Sequence, residues 1–326
     1  MLSWSISNDE PRAPDLTDEQ RRRLRTMLRE THFRSWSESY FATPAYERDL
    51  HDHVEGRYET CRNVFVPWVR RAIDLNGKHM VEIGCGTGSS TASMVPFLSG
   101  VHAYDIIPES VEAARLRLDI MGLGNKATWR VADPRMLLSM LETDIMGPGG
   151  PGGTDIVLLY AVVEHQTIEE RIDTLKMAWK LLRPGGILIV TDTPNRLCYF
   201  DWHTANLPFY HMLPDRLAIP YAQRSPRTEL WQRLSQSLQT KGWDAAHEAM
   251  VRWGRGASYH EFELALGDLT NLVVVDGWAP EMAEHLGTTL EEELLLRYWK
   301  EKPINVPIGF ARRSLDIILK KPAASE

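Results

Sequence analysis

The chain has 326 residues, 43% of them hydrophobic and 25% charged, which is enough material for one full globular domain with additions. Its formal net charge of −7 and pI near 5.9 disfavour a general electrostatic affinity for nucleic acid or an anionic membrane. The three cysteines, Cys61, Cys85 and Cys198, are too few and scattered for a disulfide framework or a zinc site. With no basic-then-apolar leader and no apolar run of about 18 residues, the expectation is a reduced, cytoplasmic setting without a membrane span.

Residues 1–15 are polar, contain Pro11 and Pro14, and read as a flexible arm. Thr17 and Gln20 then form a capping-box pattern, and Leu24, Met27 and Leu28 follow at helical spacing. The nearby Arg21, Arg22, Arg23 and Arg25 read as a solvated helix face. From Tyr46 to about Leu75, the positions of Leu50, Val54, Tyr58, Cys61, Phe65 and Val69 predict a longer helical segment, which Pro67 is expected to kink or break. Residues 16–76 thus read as an N-terminal helical cap.

An alternating pattern occupies 77–193. Strands are predicted at 78–84, 101–105, 127–132, 155–160 and 187–191, with helices at 89–98, 108–121, about 133–141 and 168–182. Alternation of this kind implies a parallel sheet with right-handed crossovers and a ligand at the carboxyl ends of the strands. Gly84, Gly86 and Gly88 lie in the turn after the first strand, in the stretch VEIGCGTGSS from Val81 to Ser90. Glycines there let the backbone turn sharply and approach a ligand.

The third glycine falls one place early for a dinucleotide fingerprint, and Glu82 suits a cationic ligand better than a pyrophosphate. Asp105 ends the second strand about 20 residues past the first glycine, the usual place for an acid that accepts two ribose hydroxyls. Further on, 194–226 is rich in proline and aromatics without a steady period, and reads as a structured cover over the site within an insertion at about 194–257. Helices are predicted at 227–238, 259–266 and 280–300, and strands at 271–276 and 314–320.

At VEIGCGTGSS, Asp105, Val131-Ala132-Asp133-Pro134, DIVLLYAVVEH (155–165) and LLRPGGILIV (181–190), the sequence resembles the class I S-adenosylmethionine-dependent methyltransferases. The resemblance covers roughly 77–193. It implies a doubly wound, seven-stranded, mostly parallel Rossmann-like α/β sheet over 77–326, with the last two strands antiparallel. It places Glu82, Gly84, Cys85, Gly86 and Gly88 in the turn around the methionine moiety and Asp105 on the ribose. Ile106, Ala132 and Asp133 fall to the adenine, and Tyr160 near the reactive methyl. Cys85 is expected to be a small filler.

Methyl transfer from a sulfonium is an in-line displacement, so the protein supplies alignment, water exclusion and a proton acceptor. No metal is needed. His165, His203 and His211 are candidate bases, with His203 preferred because Asp201 lies two residues away. Arg57, Tyr58, Asn195, Arg196, Trp202 and Tyr210 are candidate substrate contacts, weighed against ordinary structural roles.

The expected reaction is methylation of a small-molecule acceptor at oxygen, nitrogen or sulfur. The alternatives are a protein or nucleic-acid acceptor, a nicotinamide-dependent oxidoreductase, which the glycine spacing disfavours, and a non-catalytic scaffold, which has no physical need for Glu82, Asp105 and Asp133 together. The N-terminal helices are expected either to form a lid or to pair two subunits.

Overall fold

The computed structural model describes residues 11–132, 135–302 and 305–323. Seven strands form one sheet: β1 (His79–Ile83), β2 (Gly100–Asp105), β3 (Ala127–Val131), β4 (Thr154–Tyr160), β5 (Leu182–Pro194), β6 (Val273–Asp276) and β7 (Ser314–Lys320), in the spatial order 3-2-1-4-5-7-6. The first five run parallel, while β7 is antiparallel to both β5 and β6. Val81 of β1 sits opposite His102 of β2 and Val157 of β4. The winding reverses between β1 and β4, so a crevice opens at their carboxyl ends.

Alternation along the strands sends side chains to opposite faces. Met80, Ala103, Ile156, Leu158, Ile187, Ile189 and Ile318 join one core with Leu24, Val54, Phe65, Trp68, Met94 and Leu118 from the N-terminal helices and from helices Ser89–Met94 and Pro108–Ile120. Val81, Ile83, Val157, Leu159, Leu188, Val190 and Ile317 join the other, beneath helix Ile168–Leu181 and the C-terminal elements.

The capping box predicted at Thr17 opens helix Asp18–Glu30. Helical turns then run through 44–70 without the break expected at Pro67. Proline has no N–H to give the turn before it, and the wider i→i+5 turn at Cys61–Phe65 absorbs that loss. Of the arm expected over 1–15, residues 1–10 lie outside the described residues. Residues 11–15 are tied down rather than free: Ala13 is buried, the Tyr58 hydroxyl donates to the Pro14 carbonyl at 2.6 Å, and Arg62 Nε donates to the Ala13 carbonyl at 2.6 Å.

After β5 the chain makes a two-residue ribbon, Phe200–Asp201 against Leu207–Pro208, and helices Asp215–Tyr221, Thr228–Lys241 and Trp243–Trp253. These share a small core of Ala205, Tyr210, Ala218, Ile219, Leu230, Leu234, Ala246 and Met250. Of these helices the sequence showed one, the helix predicted at 227–238. The chain returns at Ala257 beside Asn195. The single helix predicted over 280–300 is two, Pro280–Leu286 and Leu290–Glu301, because Gly287 ends the first and a Thr289–Glu292 capping box starts the second.

Candidate active site

The turn between β1 and helix Ser89–Met94 is built around its glycines. Gly88 has φ +79°, and a Cβ there would lie 2.9 Å from the Ala114 Cα, so this glycine lets two helices approach. A Cβ on Gly86 would meet nothing within 4 Å, which leaves that side open to a ligand. Asp105 holds the turn across the strand ends: its Oδ2 accepts the Gly86 N–H at 2.8 Å and its Oδ1 the Ile107 N–H at 2.9 Å. Burial raises the Asp105 pKa, and these backbone bonds oppose the rise. Beside it Ile106 is 51% exposed, an apolar surface at the rim.

Glu82 is fully buried and accepts hydrogen bonds from the Ser90 and Thr91 hydroxyls. Burial pushes its carboxyl up to about 7. It braces the turn from beneath and is not part of the cavity wall.

The glycine turn opens into a cavity of about 1110 Å³. Asp52, Arg57 and Cys61 of the N-terminal segment line it, as do Gly84, Cys85, Gly86, Asp105 and Ile106, then Tyr160, Glu164, His165, Asp192, His203 and Arg252. Its polar end is tightly organised. Arg255 N–H donates to the Glu164 carbonyl at 2.8 Å, Arg252 Nη1 donates to the His165 carbonyl at 2.8 Å, and the Arg252 guanidinium meets Glu170 with both Nη atoms.

The Thr193 hydroxyl donates to Glu164 Oε2 at 3.1 Å. His165 Nδ1 lies 3.1 Å from the Arg252 carbonyl, which only accepts, so that nitrogen carries the proton. Its Nε2 is 3.6 Å from Glu164 Oε1. The His203 ring centroid is 6.0 Å from that of His165. Gly254 permits this approach: a Cβ there would lie 2.4 Å from His203 Cε1 and 3.4 Å from His165 Cε1.

Burial governs the titration of this end. It pushes Glu164 up to about 8, His203 down to about 4, and His165 down as well. Asp192, at φ +56°, is pushed up to about 6 by burial and then by Asp316.

Several sequence-predicted residues lie elsewhere. His211 is buried with Nε2 2.9 Å from Asp201 Oδ1, its Nδ1 accepts the Gly256 N–H, and it does not line the cavity. Asp201 turns to His211 and to the N–H groups of His203, Thr204 and Ala205, leaving the His203 ring without the acid expected to support it.

Among the candidate substrate contacts, Asn195 donates to the Phe310 and Arg312 carbonyls, and Tyr210 is buried with its hydroxyl on the Ala218 carbonyl. Tyr58 is buried and tied to Pro14. Trp202 is 57% exposed against Phe200, and neither it nor Arg196 lines the cavity. Arg57 does line it, with Nε 2.7 Å from Asp52 Oδ2.

Cys85 is a buried part of the cavity wall, and burial pushes its thiol up. Ala132 is buried and gives its N–H to the Asp105 carbonyl at 2.9 Å, behind the wall. Asp133 lies outside the described residues. Sequence reasoning missed Arg252 and Asp192, and gave Glu164 no role of its own. Glu164 had a signal, its place beside His165, whereas Arg252 reaches the site only through the insertion's own packing.

Residues 81–188 match the family model described as a methyltransferase domain. Over this stretch, 81–188, the chain is similar to a methyltransferase domain. The strand order and the antiparallel β7 agree with the class I fold expected from its motifs. A probable cobalt-precorrin-6B C(15)-methyltransferase (decarboxylating) of Methanothermobacter thermautotrophicus is 31% identical over 112 residues, 34% of this chain and 50% of that protein. A ubiquinone biosynthesis O-methyltransferase of Xanthomonas euvesicatoria is 28% identical over 133 residues, 41% of this chain and 50% of that protein.

The chain therefore spans about half the length of these curated relatives. Among solved structures, an O-methyltransferase family protein from Burkholderia thailandensis aligns over 94% of this chain and 72% of its own, with TM-score 0.41 and 15% identity. Magnesium protoporphyrin IX methyltransferase from Synechocystis aligns over 56% of this chain and 80% of its own, with TM-score 0.36 and 21% identity. No described helix is long and apolar enough to cross a membrane.

Proposed function

We propose that the protein transfers the methyl group of S-adenosylmethionine to an oxygen, nitrogen or sulfur atom of a small-molecule acceptor. The observation that carries this reading is the Asp105 carboxylate, fixed on the Gly86 N–H at the mouth of a cavity whose other end holds Glu164, His165 and His203. The residues present fit such a donor. Gly86 leaves its side open, Asp105 keeps lone pairs for a diol, and Ile106 offers an apolar face. The curated relatives with small-molecule names support the acceptor class.

The bound donor supplies an electrophilic methyl carbon: its bond to sulfur breaks as the bond to the acceptor forms, and sulfur keeps the electron pair. The protein aligns the two partners and excludes water. A hydroxyl, amine or thiol acceptor must also lose a proton. His203, near 4 and without its acid, is a weak base at neutral pH, whereas Asp192, near 6, is ionised there and better matched to the task. Asp192 is the proposed proton acceptor, held at the site in a strained left-handed conformation.

Calorimetric titration with S-adenosylmethionine and S-adenosylhomocysteine, with NAD and NADP as controls, tests the cofactor. Incubation of a metabolite extract with methyl-labelled donor tests the acceptor. Stoichiometric binding of the sulfur ligands and label in small molecules are expected. No binding of either sulfur ligand refutes the reading, and label confined to macromolecules refutes the acceptor class.

A further inference from the structure

We propose that Glu164, His165 and His203 form a binding site for a divalent transition-metal ion of the zinc class, in the wall of the cavity. Each side chain offers one ligand atom, and the three atoms lie within 4.8 Å of one another. Donors about 2.0–2.1 Å from a tetrahedral zinc stand ~3.3 Å apart, so a shift of the order of an ångström closes the site.

Three features go beyond proximity. Glu164 is fully buried, and its Oε1 has no hydrogen-bond partner although Oε2 is held by Thr193. A buried carboxylate oxygen left bare is costly, and a cation would satisfy it. The Arg252 carbonyl takes the Nδ1 proton of His165 and so presents the Nε2 lone pair toward Glu164. Fixing the second nitrogen on a carbonyl is how ligating imidazoles are usually oriented. His203 also has a buried ring nitrogen, Nδ1, without a partner, and Gly254 leaves room for both rings.

The backbone beneath the cluster is clamped by Arg171, Arg252 and Arg255, which bond the Glu164 and His165 carbonyls. Two imidazole nitrogens and one carboxylate oxygen suit zinc, iron(II) or cobalt(II) far better than magnesium, which wants an octahedron of oxygens. All three ligands line the cavity, so the remaining coordination position faces it. In a second step, which rests on the methyltransferase reading above, that position selects an acceptor bearing a hydroxyl or carboxylate oxygen. This site departs from the expectation that no metal is needed. The cysteine count bears only on thiolate sites, and His203 reaches the pair from 38 residues away in sequence.

The test uses the full chain freed of metal by chelator and kept without methyl donor. Zinc is titrated calorimetrically, cobalt(II) by its visible absorption, and magnesium serves as the control metal. One equivalent of zinc and of cobalt is expected to bind, and X-ray absorption of the zinc-loaded wild type should show two imidazole nitrogens and one carboxylate. Glu164→Gln and His203→Gln should each weaken zinc by at least ~10–100-fold, while His247→Ala, remote from the cavity on helix Trp243–Trp253, should not.

Absence of stoichiometric zinc binding, a zinc coordination sphere without two imidazoles, magnesium binding as tight as zinc, or unchanged affinity in the His203 variant would each overturn the proposal. Should a variant fail to fold, the absorption spectrum of the wild type decides alone. Zinc binding without binding of S-adenosylmethionine would refute only the methyl-transfer reading, and the converse only the metal site.

Discussion

Replacing Glu82 by glutamine isolates the cost of burying a carboxyl under the glycine turn. Burial raises its pKa from 4.5 to about 7, Asp105 adds to the rise, and the Ser90 and Thr91 hydroxyls oppose it. The folded state therefore holds the proton more tightly than the unfolded chain. Glu82's contribution to stability is fully present below 4.5, is lost as pH rises toward 7, and changes no further above it. At ~1.36 kcal/mol per pH unit the loss amounts to about 3 kcal/mol.

Glutamine keeps the shape and stays neutral, and the two hydroxyls can reorient to it. Urea denaturation of the ligand-free wild type and Glu82→Gln should give similar stabilities near pH 4.5. Near pH 8 the variant should be more stable by about 3 kcal/mol. A difference that is flat with pH, or a variant less stable at pH 8, would show that the hydroxyl bonds hold Glu82 ionised and that the reasoning is wrong.

Asp105→Asn should weaken S-adenosylmethionine by about 10–100-fold in calorimetry, the worth of a hydrogen-bond acceptor losing its charge; unchanged affinity would remove Asp105 from the site. Gly88→Ala places a Cβ 2.9 Å from the Ala114 backbone at φ +79°, and a loss of about 2–4 kcal/mol is expected in denaturant unfolding. Arg171→Met removes a buried guanidinium that serves the Gln166, Glu164, Arg255 and Gly256 carbonyls and the Glu261 carboxylate. It should cost about 3–5 kcal/mol, and a loss under 1 kcal/mol in the same assay would refute the clamp. Asp192→Asn should depress turnover while leaving S-adenosylmethionine affinity within a few-fold, and full activity near pH 7 would exclude Asp192 as the base.

The glycine-turn end of the cavity was legible because its chemistry is local. Gly86, Gly88 and Asp105 act through a turn and two neighbouring strand ends, and strand–helix alternation fixes their meeting. The end around Glu164, His165 and His203 was not. His211, Asn195, Tyr58 and Tyr210 have side chains suited to a site, yet each spends its polar atoms on a distant carbonyl, N–H or carboxylate. Residue type alone does not tell a polar group that braces the fold from one that faces a cavity, because buried polar atoms must be satisfied in either case.

By itself the sequence determined the alternating α/β core, the glycine turn and the acid at the end of β2, since periodicity and turn chemistry are written within a few residues. Only the tertiary structure decided which of the remaining polar residues share the cavity. Helix Trp243–Trp253 carries Arg252 to Glu170 and His165, and Gly254 lets His203 close on His165. These contacts join segments tens of residues apart, held by the insertion's own apolar core, and no local pattern encodes where such a unit docks.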